Sequence, residues 1–393
     1  MKLAVIGFGN AGGKIADRIV EYEGETGRSL CRFSAVVNTA SVDLEKITHI
    51  PRQNRVLIGQ TDERSKGHGA GADPELGSEL TRQDRPELAR FLDSVPLHDI
   101  DAFLVIGGLG GGTGSGGGPV LAEILADRYD EPVYGLGILP SRDEGGRASL
   151  NAARSVQSYT EETDGLIVFD NNAWKDGGDT IEDGYERTNY EIAKRVVTLL
   201  GAGEYDGTTV SENAMDSSDI NRTLAVGGVS SIAFAETDVD QSTRRQQGLL
   251  SRVRSGGSSD GDDVDAATKV HSLVRRAVQS RLTCPAQVHS TERALVVVSG
   301  PPTELAQKGL VRARQWLEGE IGSVEVLAGD DPRPGSDVLS ATVLLSNVTD
   351  VPRIDRLQEQ AVDAQSNIEQ QAAGRQDEIS ELITDDEDRL DPI

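Results

Sequence analysis

Cysteine is nearly absent from the 393-residue chain: Cys31 and Cys284 stand far apart with no spaced pair around them, so neither a disulfide framework nor a zinc cluster is expected. Aromatic residues make up only 4% and hydrophobic residues 37%. No apolar run approaches the roughly 20 residues that a membrane span needs, and Met1-Lys-Leu-Ala-Val-Ile-Gly7 enters a strand pattern without a cleavage site. The expectation is a soluble, cytoplasmic protein with no direct membrane insertion. Bases are the scarcest charge. Lys and Arg number 39, only 8 of them Lys, against 65 acids, which leaves a net charge of -26. With no basic block anywhere, the chain should repel polyanions, so no nucleic-acid partner is expected. The acids are spread through periodic segments, which speaks against disorder and for adaptation to concentrated salt. There the screening length falls to about 3 Å and a dense carboxylate surface no longer repels itself.

Short apolar runs alternate with helical patterns through the first half. Leu3 to Gly7, Phe33 to Val37, Ala102 to Ile106, Val133 to Ile138 and Leu166 to Phe169 read as strands buried on both faces. Helical stretches near 12–22, 85–94, 118–129 and 149–162 lie between them, so the fold class is α/β with a doubly wound, mainly parallel sheet. A long helix is expected from Ile181 to Leu200, ended by Gly201 and Gly203. Beyond it, strands at Gly227 to Ala235, Ala294 to Ser299, 323–328 and 339–346 and helices near 266–282 and 303–320 suggest a smaller mixed-sheet domain. The division expected is 1–178, a connecting helix 179–203, a second domain 204–352 with a mobile, Ser/Gly/Asp-rich loop 236–265, and a helix with an acidic tail at 353–393.

Ligands of such sheets bind at the carboxyl ends of the strands, and there the glycine accumulates. Gly7-Phe-Gly9-Asn10-Ala11-Gly12-Gly13-Lys14 follows the first strand and opens a helix, so backbone N–H groups can face a phosphate. A dinucleotide site would want an acid at the end of the second strand, where Asn38 stands; an NAD-dependent oxidoreductase is therefore the weaker alternative. A P-loop is excluded because Ile15 follows Lys14. The second loop, Gly107-Gly-Leu-Gly-Gly-Gly-Thr-Gly-Ser-Gly-Gly-Gly118, places nine glycines in twelve residues between an apolar strand and a helix. Consecutive N–H groups without Cβ atoms can wrap an oligophosphate, and Thr113 and Ser115 add hydroxyls.

The run Gly110-Gly111-Gly112-Thr113-Gly114-Ser115-Gly resembles the phosphate-binding signature of the tubulin and FtsZ superfamily, and along nearly its whole length the chain is most similar to the CetZ proteins, tubulin-like GTPases of halophilic archaea. The resemblance implies a GTP-binding domain and a smaller activation domain joined by the long helix. GTP or GDP would be the cofactor, with Mg²⁺ held mainly through phosphates and water and no dedicated metal ligands. It implies phosphate contacts from Gly9, Asn10, Ala11, Gly12, Gly13 and Lys14, with Asn38 beside them, and from the 110–115 run. The stretch Gly67 to Gly77 resembles the loop that senses the terminal phosphate, through Gly69, Ala70, Gly71 and Ala72. Glu144 would hold the ribose, Asn171 and Asn189 the guanine edge, and Tyr185 the guanine face; Tyr185 and Asn189 share a helix face by their spacing. Arg147 stands three residues after Glu144, where FtsZ proteins place an arginine four residues after, so no role is carried over to it. Asp216-Ser-Ser-Asp219 resembles the acidic loop that one subunit inserts over the nucleotide of the next, with Asp219 the first catalytic candidate and Asp216 the second, although Ala214 replaces the family's asparagine. The implied function is a cytoskeletal GTPase that polymerises head to tail with itself, offers related tubulin-like proteins as further partners and takes part in control of cell shape. A filament protein with negligible hydrolysis is the other alternative.

Overall fold

The computed structural model describes residues 1–175, 181–204, 215–239 and 260–384. The loop expected around 240–259, Ala214, the boundary at 178 and the acidic tail beyond 384 lie outside them.

The first strands are β1 (Leu3–Phe8), β2 (Cys31–Asn38), β3 (Arg55–Leu57), β4 (Ala102–Gly108), β5 (Val133–Leu139) and β6 (Gly165–Asp170). After them come β7 (Val229–Asp238), β8 (Arg293–Gly300), β9 (Val326–Pro332) and β10 (Val338–Ser346). They form one ten-stranded sheet in the order β3-β2-β1-β4-β5-β6-β7-β10-β8-β9. From β3 to β6 every pairing is parallel, with β1 central between β2 and β4. The β6 and β7 strands share only Leu166↔Val229 and Ile167↔Ser230, a narrow seam beyond which β10 pairs antiparallel to β7 and β8 and the sheet becomes mixed. A doubly wound parallel part and a smaller mixed part are thus both present, fused edge to edge.

Helices cover both faces. On one side lie α1 (Gly9–Thr26) and α8 (Ile181–Leu200); short α2 (Ser41–Glu45) and α7 (Asn171–Trp174) close strand ends. On the other lie α3 (Pro74–Gln83), α4 (Arg85–Leu92), α5 (Gly118–Arg128) and α6 (Gly146–Glu162). In the second part of the chain come α9 (Ser217–Leu224), α10 (Asp260–Gln279), α11 (Gln307–Ile321) and α12 (Pro352–Thr384). Along β1, Ala4, Ile6 and Phe8 enter one core and Leu3 and Val5 the other, as a strand covered on both faces requires. Helix α8 buries Ile192, Val196 and Leu199 against a core that also holds Leu136 and Ile167 of the parallel strands and Ile232, Leu295 and Leu344 of the mixed ones. Each such aliphatic side chain contributes about 1.5–3 kcal/mol on burial, so α8 holds the two parts of the sheet together across their narrow seam.

Two expectations need correction. The stretch 67–77 is a loop only to Asp73: Pro74 begins α3, and the Asp73 carboxylate caps it by accepting from Glu75 N at 3.0 Å and Leu76 N at 3.2 Å. Asp followed by Pro at the first helical position is a helix start, which places Gly77 inside the helix. The region 236–265 is shorter as a loop than expected, because β7 continues to Asp238 in register with Val338 of β10, and α10 already begins at Asp260. No helix among the described residues is long and apolar enough to cross a membrane.

Candidate functional site

At the carboxyl ends of β1, β2, β4, β5 and β6 a cavity of about 430 Å³ opens, within the roughly 300–1,000 Å³ usual for small-molecule sites. Of the residues expected to bind a nucleotide, Asn10, Ala11, Lys14, Asn38, Gly69, Ala70, Gly71, Ala72, Gly110, Gly111, Gly112, Thr113, Gly114, Glu144, Asn171, Tyr185 and Asn189 all line it. Clefts of about 720 and 1320 Å³ lie between α1, α8 and the mixed strands and between α3, α5 and α6. They are larger, but neither gathers these groups; chemistry and not volume selects the smaller cavity.

Gly9, Gly12, Gly13 and Ser115 stand outside its lining. Gly12 lets α1 lie directly on β4: a Cβ there would sit 2.1 Å from the Ile106 carbonyl oxygen. Ser115 turns its hydroxyl to the carbonyls of Gly111 and Gly112 and faces the groove beside α3. Part of the second loop's glycine content likewise serves packing, since a Cβ on Gly118 would meet the Tyr159 hydroxyl at 1.7 Å.

The floor of the cavity is built from helix starts. The first turn of α1 has no side-chain cap and no acid, and neither does the π-helical turn Thr113–Gly117 that runs into α5. Orphan N–H groups and the positive ends of two helices are left for a ligand to satisfy, and an anion does so best. Among the described residues Lys14 is the lone Lys or Arg lining the cavity, which it shares with Asp43, Glu144 and the exposed His68.

Side chains from distant parts of the sequence fix these loops. Asn151 of α6 donates from Nδ2 to the carbonyls of Ala72, Gly110 and Gly111 at 3.0–3.2 Å, tying the 67–73 loop to the glycine run. Thr39 and Thr113 share a 2.6 Å hydroxyl bond, and Tyr159 donates to Gly114 O at 2.9 Å. The 67–73 loop is also pinned to the end of β2, where Ser41 N donates to Gly67 O and Gly69 N to Thr39 O, both at 3.0 Å. None of these clamps was foreseen from the sequence. An Asn, a Thr and a Tyr on amphipathic helices or strand ends carry no spacing that announces a target between 40 and 79 residues away.

At the other end of the cavity, Glu144 folds back so that Oε1 accepts from Ser141 N at 2.7 Å, with its carboxylate close to Tyr185. Burial, followed by the charges of Glu144 and Asp143, raises the Tyr185 phenol above its ordinary pKa. Tyr185 stays 41% exposed, more than any other Phe, Tyr or Trp among the described residues, and its ring is available for stacking. Asn189 follows one turn later, and Asn171 opens α7, which Asp170 caps by accepting from Asn172 N at 3.1 Å.

Neither Asp216 nor Asp219 lines the cavity. Asp216 caps α9, its Oδ1 accepting from Asp219 N at 3.0 Å and Ser218 Oγ at 2.6 Å, and these bonds hold its carboxyl below the usual range. Burial first, then the Asp216 charge, raises the Asp219 carboxyl. Helix α9 is anchored by Asn221, which accepts from the Tyr134 hydroxyl at 3.0 Å near the start of β5. The cavity lies past the end of that strand, at Pro140. Seven residues of β5 at about 3.3 Å each therefore separate the acids from the cavity by roughly 20 Å. The same span is bridged by α8, whose Tyr185 is at the cavity while Leu200 O accepts from the Met1 amino group.

Comparison with known proteins agrees with this architecture. Residues 2–179 match the GTPase domain of the Tubulin/FtsZ family, and residues 178–363 match the C-terminal domain of tubulin-like CetZ. Tubulin-like protein CetZ1 of Haloferax volcanii is 50% identical over 374 residues, covering 94% of each chain. The chain belongs to the CetZ family of tubulin-like proteins. Among solved CetZ structures, the GDP-bound monomer of CetZ1 from Haloferax volcanii superposes with a TM-score of 0.81 at 47% identity, covering 93% of this chain and 100% of that one. The GTPγS-bound protofilament of CetZ2 from the same organism gives 0.81 at 36% identity, over 94% and 100%. The salt-adapted composition accords with relatives from a halophile.

Proposed function

We propose that the chain binds GTP in the 430 Å³ cavity, assembles head to tail with copies of itself and hydrolyses the GTP at the contact between subunits. The observation that carries this is the separation of the two halves of the site. Groups suited to holding a nucleotide sit at the carboxyl ends of the parallel strands, and the acids suited to activating water sit near the start of β5. One molecule cannot bring them together, whereas a second copy stacked along the strand direction can. A contact between unlike faces that does not close on itself continues as a filament. GDP and GTPγS in the CetZ relatives, and the protofilament form of one of them, support the same reading.

In this reading the phosphates lie on the starts of α1 and α5, the ribose hydroxyls meet the Glu144 carboxylate, and Tyr185 stacks on guanine while Asn171 and Asn189 bond its edge. Among the described residues no cluster of His, Cys, Asp and Glu could hold a metal alone. Oxygen donors of Asn10, Thr113 and Asp43 line the cavity and suit Mg²⁺ that keeps phosphate and water as its other ligands, where it would neutralise phosphate charge. Asp219 of the neighbouring subunit orients the attacking water; Asp216 holds the α9 start that presents it. Control of cell shape is the cellular role that fits such a filament.

The deciding experiment is GTP turnover and light scattering in multimolar KCl for wild type and Asp219→Ala. Assembly with GTP in both, and phosphate release in wild type alone, is the expected result. Equal phosphate release would remove Asp219 from the reaction, and selective retention of NAD(H) by the purified protein would overturn the nucleotide assignment.

A further inference from the structure

Helix α12 carries a buried cation in its first turn. Arg353 is its second residue, is 1% exposed, and places a cation in a first turn where the helix dipole disfavours one. Its Nη1 is buried without a hydrogen-bond partner, an added cost. What offsets this is its two other nitrogens. Nη2 donates to Pro140 O at 2.8 Å and Nε to Asp170 Oδ1 at 3.2 Å. Pro140 follows the end of β5 and lines the cavity; the loop it begins carries Glu144. Asp170 ends β6 and with the same oxygen caps α7, whose first residue is Asn171. Burial raises the Asp170 carboxyl, and the charge and hydrogen bond of Arg353 oppose this. One guanidinium thus sets the spacing between the loop proposed to hold the ribose and the loop proposed to hold the base.

We infer that Arg353 is a positioning residue for the nucleoside end of the cavity, coupling the docking of α12 to base and ribose recognition and not to phosphate binding. The inference rests on the proposed guanine-nucleotide reading of the cavity. Loss of the fork lets the two loops drift relative to Tyr185 and Asn189 while the glycine run, clamped separately by Asn151 and Tyr159, stays in place. Affinity for GTP and GDP therefore falls by the same factor, and discrimination between bases falls with it.

The test is competition binding of GTP, GDP and ATP to the full chain in multimolar KCl, for wild type, Arg353→Gln, Arg353→Lys and Leu357→Ala. Leu357 is fully buried one turn along the same helix and takes part in neither bond, so its variant reports loosening of α12 without loss of the two bonds. The ratio of the ATP to the GTP dissociation constant does not depend on the fraction of folded protein. We expect Arg353→Gln to lower that ratio about tenfold with the GTP-to-GDP ratio unchanged, Arg353→Lys to recover part of it, and Leu357→Ala to lower the melting temperature alone. An unchanged ratio in Arg353→Gln, or in Arg353→Lys should the glutamine variant not fold, overturns the inference. A ratio lowered equally by Leu357→Ala overturns it as well, by making the effect one of helix loosening. No preference for GTP over ATP in wild type defeats the reading of the cavity itself, and the role of Arg353 with it.

Discussion

The two ends of the parallel sheet handle charge in opposite ways. At the carboxyl end, with one lysine lining the cavity, an anion is met by backbone dipoles: two helix starts without caps or acids, and loops whose N–H groups are exposed by glycine. At the amino end the chemistry is in side chains, two aspartates on the short α9, one fixed as a cap and the other half-buried with a raised pKa. Under the proposed reading, a protein with a net charge of -26 holds a polyphosphate because the binding end does not depend on the charge of its surface. The acids, which would repel phosphate if they sat in the same cavity, stand roughly 20 Å away, and in the proposed mechanism a second copy delivers them.

If binding belongs to one end and cleavage to the other, variants should separate cleanly. The largest effect is expected from Gly12→Val, whose side chain would invade β4. Overpacking of this kind costs about 3 kcal/mol or more, and chemical denaturation should show a much weakened fold that retains no nucleotide. Next, Asp219→Ala should lower turnover about 100-fold while equilibrium binding of GTP stays within about twofold of wild type. At the binding end, Tyr185→Ala should weaken GTP and GDP alike by about tenfold, read by titration, and leave turnover at saturating GTP nearly intact. The smallest effect belongs to Asp216: Asp216→Ala should cost about 1 kcal/mol of stability through loss of the α9 cap, and Asp216→Asn, which can still cap, should restore most of it. If Asp216→Asn instead lost turnover as fully as Asp219→Ala, the division of labour within the acidic pair would be wrong.

The sequence made the parallel strands, the long helix and the cavity walls visible because each is local: a buried run, a 3.6 period, a glycine cluster between a strand and a helix. Seventeen of the 21 residues expected to touch a nucleotide line one cavity, and the four that do not are close-packed glycines or a serine turned inward, a difference visible only once β4, α1 and α3 are placed. The start of α3 was within reach of sequence reasoning, since Asp73-Pro74 is a capping pattern, yet the glycines before it masked the helix. Asn151, Thr39, Tyr159 and Arg353 were beyond reach: each acts through a bond to a main-chain or side-chain atom 40 or more residues away, and nothing in its own neighbourhood specifies that bond.

Complementation between two inactive subunits probes the shared site most directly. Asp219→Ala keeps the cavity but lacks the acid; Ala11→Glu, at an exposed position on the cavity wall, puts a negative charge where phosphate should lie but keeps the acid. Each alone should release almost no phosphate from GTP. Mixed in multimolar KCl, they should recover turnover, because contacts in which Asp219→Ala carries the GTP and Ala11→Glu supplies Asp219 are complete. A mixture no faster than the sum of its parts would contradict a site shared between neighbouring subunits.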